Sequence, residues 1–163
     1  MDGKLRNMAT VYLLKGDRVL LLYRQGGRVV SDVWTGSAGG HFEKDELNDA
    51  RACAEREMYE ELGLLPEDTE GLSLRYVTLR WTNGEIRQNY YFFARLKEEK
   101  GDGLSSNEGI SRWFQLEETE PLPMPLSARQ MFSHYLKFGR FTKEIYVGIT
   151  DKEQATFHIL RET

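Results

Sequence analysis

Residues 39–64 read GGHFEKDELNDARACAEREMYEELGL, and the second half of this stretch decides the fold and directs the chemistry. Glu57, Glu60 and Glu61 stand at i, i+3 and i+4. At about 100° per residue they share one helical arc of roughly 100°. Like charges so placed repel by about 0.2–0.5 kcal/mol per pair, so something must offset them. Arg56 stands beside them and can neutralise one. A divalent cation can neutralise the rest, and an oxygen-only donor set selects a hard ion, Mg2+ or Mn2+. A solvated acidic face is the competing reading, and the triplet alone does not exclude it. The stretch carries its own start and stop signals. Asn48 or Asp49 suits an N-cap and Gly63 a C-terminal cap. Ala50, Ala54, Met58 and Leu62 recur every fourth residue as a narrow apolar stripe beside the carboxylates. One face of the helix therefore packs into a core while its neighbour looks into a cleft.

The flanking residues narrow the choice. Gly40-x5-Glu46, then nine residues, then Arg56-Glu57-Met58-x-Glu60-Glu61-x-Gly63-Leu64 resembles the signature of the Nudix hydrolase family, G-x5-E-x7-R-E-U-x-E-E-x-G-U with U aliphatic. Every fixed position is matched. The departure is two extra residues between Glu46 and Arg56, which fall in the loop before the helix, around residues 47–50. Trp34 and Gly39-Gly40 also resemble the lead-in to that signature.

This resemblance spans roughly the N-terminal three quarters of the chain. It implies an α+β fold, a mixed β-sheet sandwich flanked by helices, and hydrolysis of nucleoside diphosphates linked to another moiety. It implies Mg2+, with Mn2+ as a substitute, held by Glu57, Glu60 and Glu61, with a carbonyl of Gly39 or Gly40 as a further oxygen. Arg56 would orient a glutamate. Glu46 would be its partner or join the outer metal shell. Glu60, Glu61 or Glu108 would be the general base, Glu108 lying in the loop before an Arg-Trp strand.

At 163 residues the chain reads as one domain, 1–163. No apolar run reaches the length of a membrane span, and the opening MDGKLRNMATVYLL lacks the apolar region of a signal peptide. The single cysteine, Cys53, excludes an internal disulfide and fits a reducing, cytoplasmic setting; by itself it reads as a small buried helix residue. A net charge of −4 argues against a nucleic-acid polymer as partner, although metal ions can supply positive charge locally. The expected partner is a small nucleotide, with no membrane. A homodimer stays open, because an apolar strand suits a core or a contact between copies.

Along the rest of the chain, residues 8–14 and 19–23 read as a hairpin around Lys15-Gly16-Asp17. Arg24 closes it, either as a bidentate phosphate contact or as a strand-end surface arginine. Residues 25–32 read as a loop with Gly26-Gly27, and His41 as a hydrogen-bonded structural residue. Residues 66–71 read as a polar connection. Residues 72–81 and 86–96 read as strands joined through Asn83-Gly84. Trp81, Tyr90, Tyr91, Phe92 and Phe93 read mostly as core, with one or two free to stack on a base. A charged loop, 97–107, leads to a strand at 108–114, a Pro-rich connector to 125, a helix at 126–138 and a last strand pair at 145–149 and 155–160. His134 reads as structural or exposed, and His158 as facing solvent.

The short chain looks like the MutT-like branch, which acts on (deoxy)nucleoside triphosphates including oxidised ones such as 8-oxo-dGTP. ADP-ribose or a nucleotide sugar is the alternative substrate. A Nudix-fold module that binds nucleotide without cutting it is the alternative class, and the intact glutamate set argues against it.

Overall fold

The computed structural model describes residues 1–25 and 32–163; the expected Gly26-Gly27 loop lies outside the described residues. Nine strands and two α-helices follow in chain order: β1 Leu5–Lys15, β2 Arg18–Arg24, β3 Val33–Thr35, β4 Ala38–His41, α1 Ala50–Leu62, β5 Thr69–Thr82, β6 Glu85–Leu96, β7 Ile110–Gln115, α2 Leu126–Lys137, β8 Ile145–Thr150 and β9 Ala155–Leu160. The sheet runs β3-β2-β1-β6-β5-β8-β9, with β4 on β1 and β7 on β2. It is mixed: β1 lies parallel to β6 and β5 to β8, and the remaining pairs are antiparallel.

The central strands are apolar at successive positions because both of their faces are covered. Val11, Leu13, Leu20, Phe92, Ala94 and Leu96 point to one side and pack on Cys53, Ala54, Met58 and Leu62 of α1. Tyr12, Leu14, Leu21, Tyr91 and Phe93 point to the other and pack on Ala128, Met131, Phe132 and Tyr135 of α2. A period of two residues thus sorts neighbouring side chains into two separate cores. On the α2 side, Phe93 stacks between Tyr12 and Tyr135, with ring centroids 5.1 and 4.1 Å away.

One edge of β1 serves two partners. Residues Met8 to Val11 pair with β4, and Leu13 to Lys15 pair with β2. At the break, the buried Ser37 hydroxyl accepts from the Leu13 N–H (2.8 Å) and donates to the Leu20 carbonyl (2.6 Å). That side chain takes over a missing ladder bond and lets β4 turn away from β2.

Helix α1 starts and stops as its sequence predicts. The Asp49 side chain accepts from the Ala52 N–H, and Gly63 sits at φ 69°, where a side chain would be strained. The two extra residues fall in the turn between the 3-10 segment Lys44–Glu46 and α1. The β5–β6 hairpin turns through Asn83 (φ 53°) and Gly84 (φ 75°), as an Asn-Gly pair favours. The first part of this hairpin departs from expectation. The polar connection 66–71 is only half irregular: a 3-10 turn covers Pro66–Asp68, and β5 begins at Thr69. Gly71, at φ 64°, falls where the β5–β6 register shifts, so a bulge carries the strand through a stretch that reads as loop. Trp81 is 70% exposed at the far end of β5 rather than in the core, because neither helix reaches that far.

Candidate active site

Helix α1 presses against β4, and this contact assembles the site. A Cβ added at Gly40 would meet the Glu57 carboxylate, so a side chain there would displace it. Glu57 and Glu61, one turn apart, are each only 8% exposed. Arg24 from β2 approaches Glu61, 3.6 Å from Oε1, and the Gly39 N–H helps to lower the carboxyl. Burial pushes the Glu61 carboxyl up to about 7; Arg24 lowers it, and the charges of Glu57 and Glu108 raise it further. Burial likewise raises Glu57. Among the described residues, Glu61 Oε2 and Arg24 Nε are buried without hydrogen-bond partners.

Arg56 organises the remaining carboxylates. Its Nε and Nη2 grip the two oxygens of Glu46, the second at 3.0 Å. Its Nη1 donates to Glu57 (2.9 Å) and Glu60 (3.0 Å), and Nη2 also donates to the His41 carbonyl (3.1 Å). The Glu43 N–H donates to Glu46 as well, and these donors hold the Glu46 carboxyl down to about 2. Behind the guanidinium, Cys53 is fully buried and its thiol is pushed up to about 12, first by burial and then by Glu46.

The three glutamates of the signature therefore do not converge as one cluster. Glu57 and Glu61 face the Gly39-Gly40 backbone, whereas Glu60 is half exposed and drawn aside by its i,i+4 pairing with Arg56. Among the described residues, no three His, Cys, Asp or Glu side chains are grouped so as to hold a metal ion. The donors still suit a hard divalent cation: carboxylate and carbonyl oxygens, one of them buried and unpartnered, on a strand stripped of side chains. Glu57 and Glu61 would be the residues to hold one, while Glu60 is paired to Arg56. Glu46 has both oxygens engaged by Arg56, the geometry of an orienting partner.

Glu108 is exposed just before β7, beside Asn107, whose side chain donates to the Glu60 carbonyl (3.3 Å). The loop thus leans on the C-terminal half of α1 and brings Glu108 within electrostatic range of Glu61. His41 accepts a hydrogen bond from Arg6, and His134 pairs with the Tyr76 hydroxyl (2.8 Å), both structural roles.

A cleft of about 260 Å³ opens from this edge across the α2 side of the sheet. Arg24, Gly39 and Gly40 border one part of it; Arg6, Arg80, Arg87 and Asn89 border another, and Pro125 to Ala128 close it over. The three arginines are absent from the sequence reading. A signal existed: residues 80 and 87 are equally spaced from the Asn83-Gly84 turn, so the hairpin must pair them.

The family model described as NUDIX domain matches residues 4–135. None of the curated proteins matches the chain. Similar solved structures include a MutT protein from Bacillus halodurans (22% identity, TM-score 0.63, covering 94% of this chain and 97% of that one). A MutT NUDIX hydrolase from Burkholderia pseudomallei has 22% identity and a TM-score of 0.62, covering 80% and 97%. An Ap4A hydrolase from C. elegans has 20% identity and a TM-score of 0.59, covering 85% and 96%. At these identities the likeness is one of fold, and it matches the mixed sheet and two helices described above.

Proposed function

The chain belongs to the Nudix family of pyrophosphohydrolases, and from that premise we propose that it hydrolyses the phosphoric anhydride of a nucleoside diphosphate-containing compound. The reference reaction is conversion of a (deoxy)nucleoside triphosphate such as 8-oxo-dGTP to the monophosphate and pyrophosphate. One observation carries this reading: two buried carboxylates, Glu57 and Glu61, lie against the Gly39-Gly40 backbone, and that backbone borders a cleft together with Arg24.

Glu57 and Glu61 would hold Mg2+, with Mn2+ able to replace it, together with a carbonyl of Gly39 or Gly40. Such an ion supplies charge neutralisation on the phosphate oxygens and a more acidic bound water. The chain's own groups do the rest. Arg24, which borders the cleft, orients a phosphate through its guanidinium. Water attacks phosphorus, the anhydride P–O bond breaks, and its electron pair leaves on the departing phosphate oxygen. Of the three candidates for accepting the water proton, Glu60 is paired to Arg56 and Glu61 faces the cation position. Glu108 has no ion pair among the described residues, and we assign the base to it. Arg56, locked by Glu46, holds the Glu57 carboxylate in place.

The test is a phosphate-release screen with Mg2+ over dNTPs, 8-oxo-dGTP, ADP-ribose, nucleotide sugars and dinucleoside polyphosphates, with products identified. Turnover that vanishes in Glu57→Gln and Glu61→Gln supports the proposal. A folded protein that leaves every such compound intact overturns it.

A further inference from the structure

Arg6, Arg87 and Arg80 stand in one row across three adjacent strands: Arg6 of β1 pairs with Arg87 of β6, which pairs with Arg80 of β5. Residues directly opposite share a face, and all three line the cleft. Like charges placed opposite each other destabilise a sheet, so three guanidinia in a row require negative charge. The protein supplies little. Among the described residues Glu85 alone reaches the group, accepting from Arg87 Nε at 2.9 Å and lying 3.6 Å from Arg6 Nη1. Arg80 has no carboxylate within ion-pair distance among the described residues. Burial, and then the charge of Arg87, lowers the pKa of Arg80. Two positive charges thus remain unbalanced in the cleft of a chain whose net charge is −4.

Their position matters as much as their sign. Gly39 pairs with Thr10, and Arg6 lies four residues along the same strand, roughly 13 Å away at about 3.3 Å per residue. An ordinary nucleoside triphosphate carries all its charge at one end, the end that Arg24 and a cation at Glu57 and Glu61 address. Its neutral base would meet the arginine row and leave it uncompensated.

We propose that Arg6, Arg87 and Arg80 form a second anion subsite, so that the substrate is a nucleotide bearing a further phosphate set apart from the anhydride that is cleaved. This rests on the hydrolase reading above and narrows its substrate class. The added phosphate has two sources, a phosphoryl group on the ribose or a lengthened polyphosphate chain, and both present the same doubly charged oxyanion to the row.

Two substrate pairs separate the sources: ADP-ribose against its 2′-phosphate, and ATP against adenosine 5′-tetraphosphate. Each pair is assayed for kcat/KM with Mg2+ and, without turnover, for affinity by calorimetry on the metal-free protein at fixed ionic strength. In one pair the added phosphate should raise both quantities by about 10- to 100-fold, the scale of hydrogen bonds to a charged group. Arg80→Gln and Arg87→Gln should each remove about tenfold of that gain, and Arg80→Lys should retain most of it, which a merely structural arginine would not predict. A gain in neither pair, or one that both glutamine variants leave whole, overturns the proposal. A calorimetric gain lost in these variants, with no hydrolysis of any compound, would uphold the subsite and sink the hydrolase reading instead.

Discussion

Arg56 holds Glu46 by both carboxylate oxygens, although nine residues and a helix start lie between the two in sequence. The pair fastens the segment before α1 to the face that carries Glu57. Glu46→Gln should therefore cost about 1.5–3 kcal/mol of stability in urea unfolding, the value of hydrogen bonds to a charged group. It should also lower kcat/KM through a less fixed Arg56. The sign of its pH dependence follows from the depressed carboxyl. Its stabilisation is present above the unfolded value of 4.5 and fades as pH falls from there toward about 2. Wild type should show that acid limb, and Glu46→Gln should not.

Glu61 has the opposite sign. Its folded-state carboxyl, at about 7, lies above the unfolded value of 4.5, so the folded metal-free protein binds the proton more tightly. Stability from this group falls as pH rises from 4.5 through 7 and stays low beyond. A melting series should show Glu61→Gln flattening this decline. Added Mg2+ should raise Tm more at pH 8 than at pH 6, because a cation competes with that proton. Equal Mg2+ shifts at both values would remove Glu61 from the ligand set.

Glu60 is where geometry and signature pull apart. If it leaves Arg56 to hold the cation, Glu60→Gln should weaken Mg2+ activation as strongly as Glu57→Gln, by about 100-fold or more. If it only supports Arg56, the loss should stay within the roughly 10- to 100-fold range of an outer partner. Titrating activity against Mg2+ for the two variants side by side decides between these outcomes.

Glu108→Gln should lower kcat while leaving the Mg2+ concentration for half-maximal activity unchanged. A shift in that concentration would show Glu108 to be a ligand instead of the base.

Gly40→Ala tests the close passage of β4 over α1. The added methyl meets the Glu57 carboxylate, which must swing aside from its Arg56 contact, so the variant should keep its fold and lose most of its activity. Gly16→Ala meets no neighbouring atom and, at φ 58°, should show backbone strain alone, with turnover retained.

Helix α1 was legible down to its caps because every signal that sets it is local: Asp49, Gly63 and a four-residue apolar repeat. The β5–β6 hairpin was equally legible from Asn83-Gly84. The start of β5 was not, since Gly71 marks a turn and a bulge alike and only the pairing partner distinguishes them. Trp81 misled for a related reason: hydrophobicity says what a side chain prefers, not whether a helix extends far enough to cover it. At the site, residue types were readable and directions were not. The spacing put Glu57, Glu60 and Glu61 on one arc, yet Arg56 divides them. The arginine row depends on the parallel pairing of β1 with β6, a contact across eighty residues that no local pattern announces.

Cys53 lies sealed on the inner face of α1, and it is the only thiol in the chain. A maleimide or disulfide reagent can reach it only when the glutamate-bearing helix lifts from the sheet. Its labelling rate is thus a clock for that opening, one that runs without substrate and that a tightly bound nucleotide should slow.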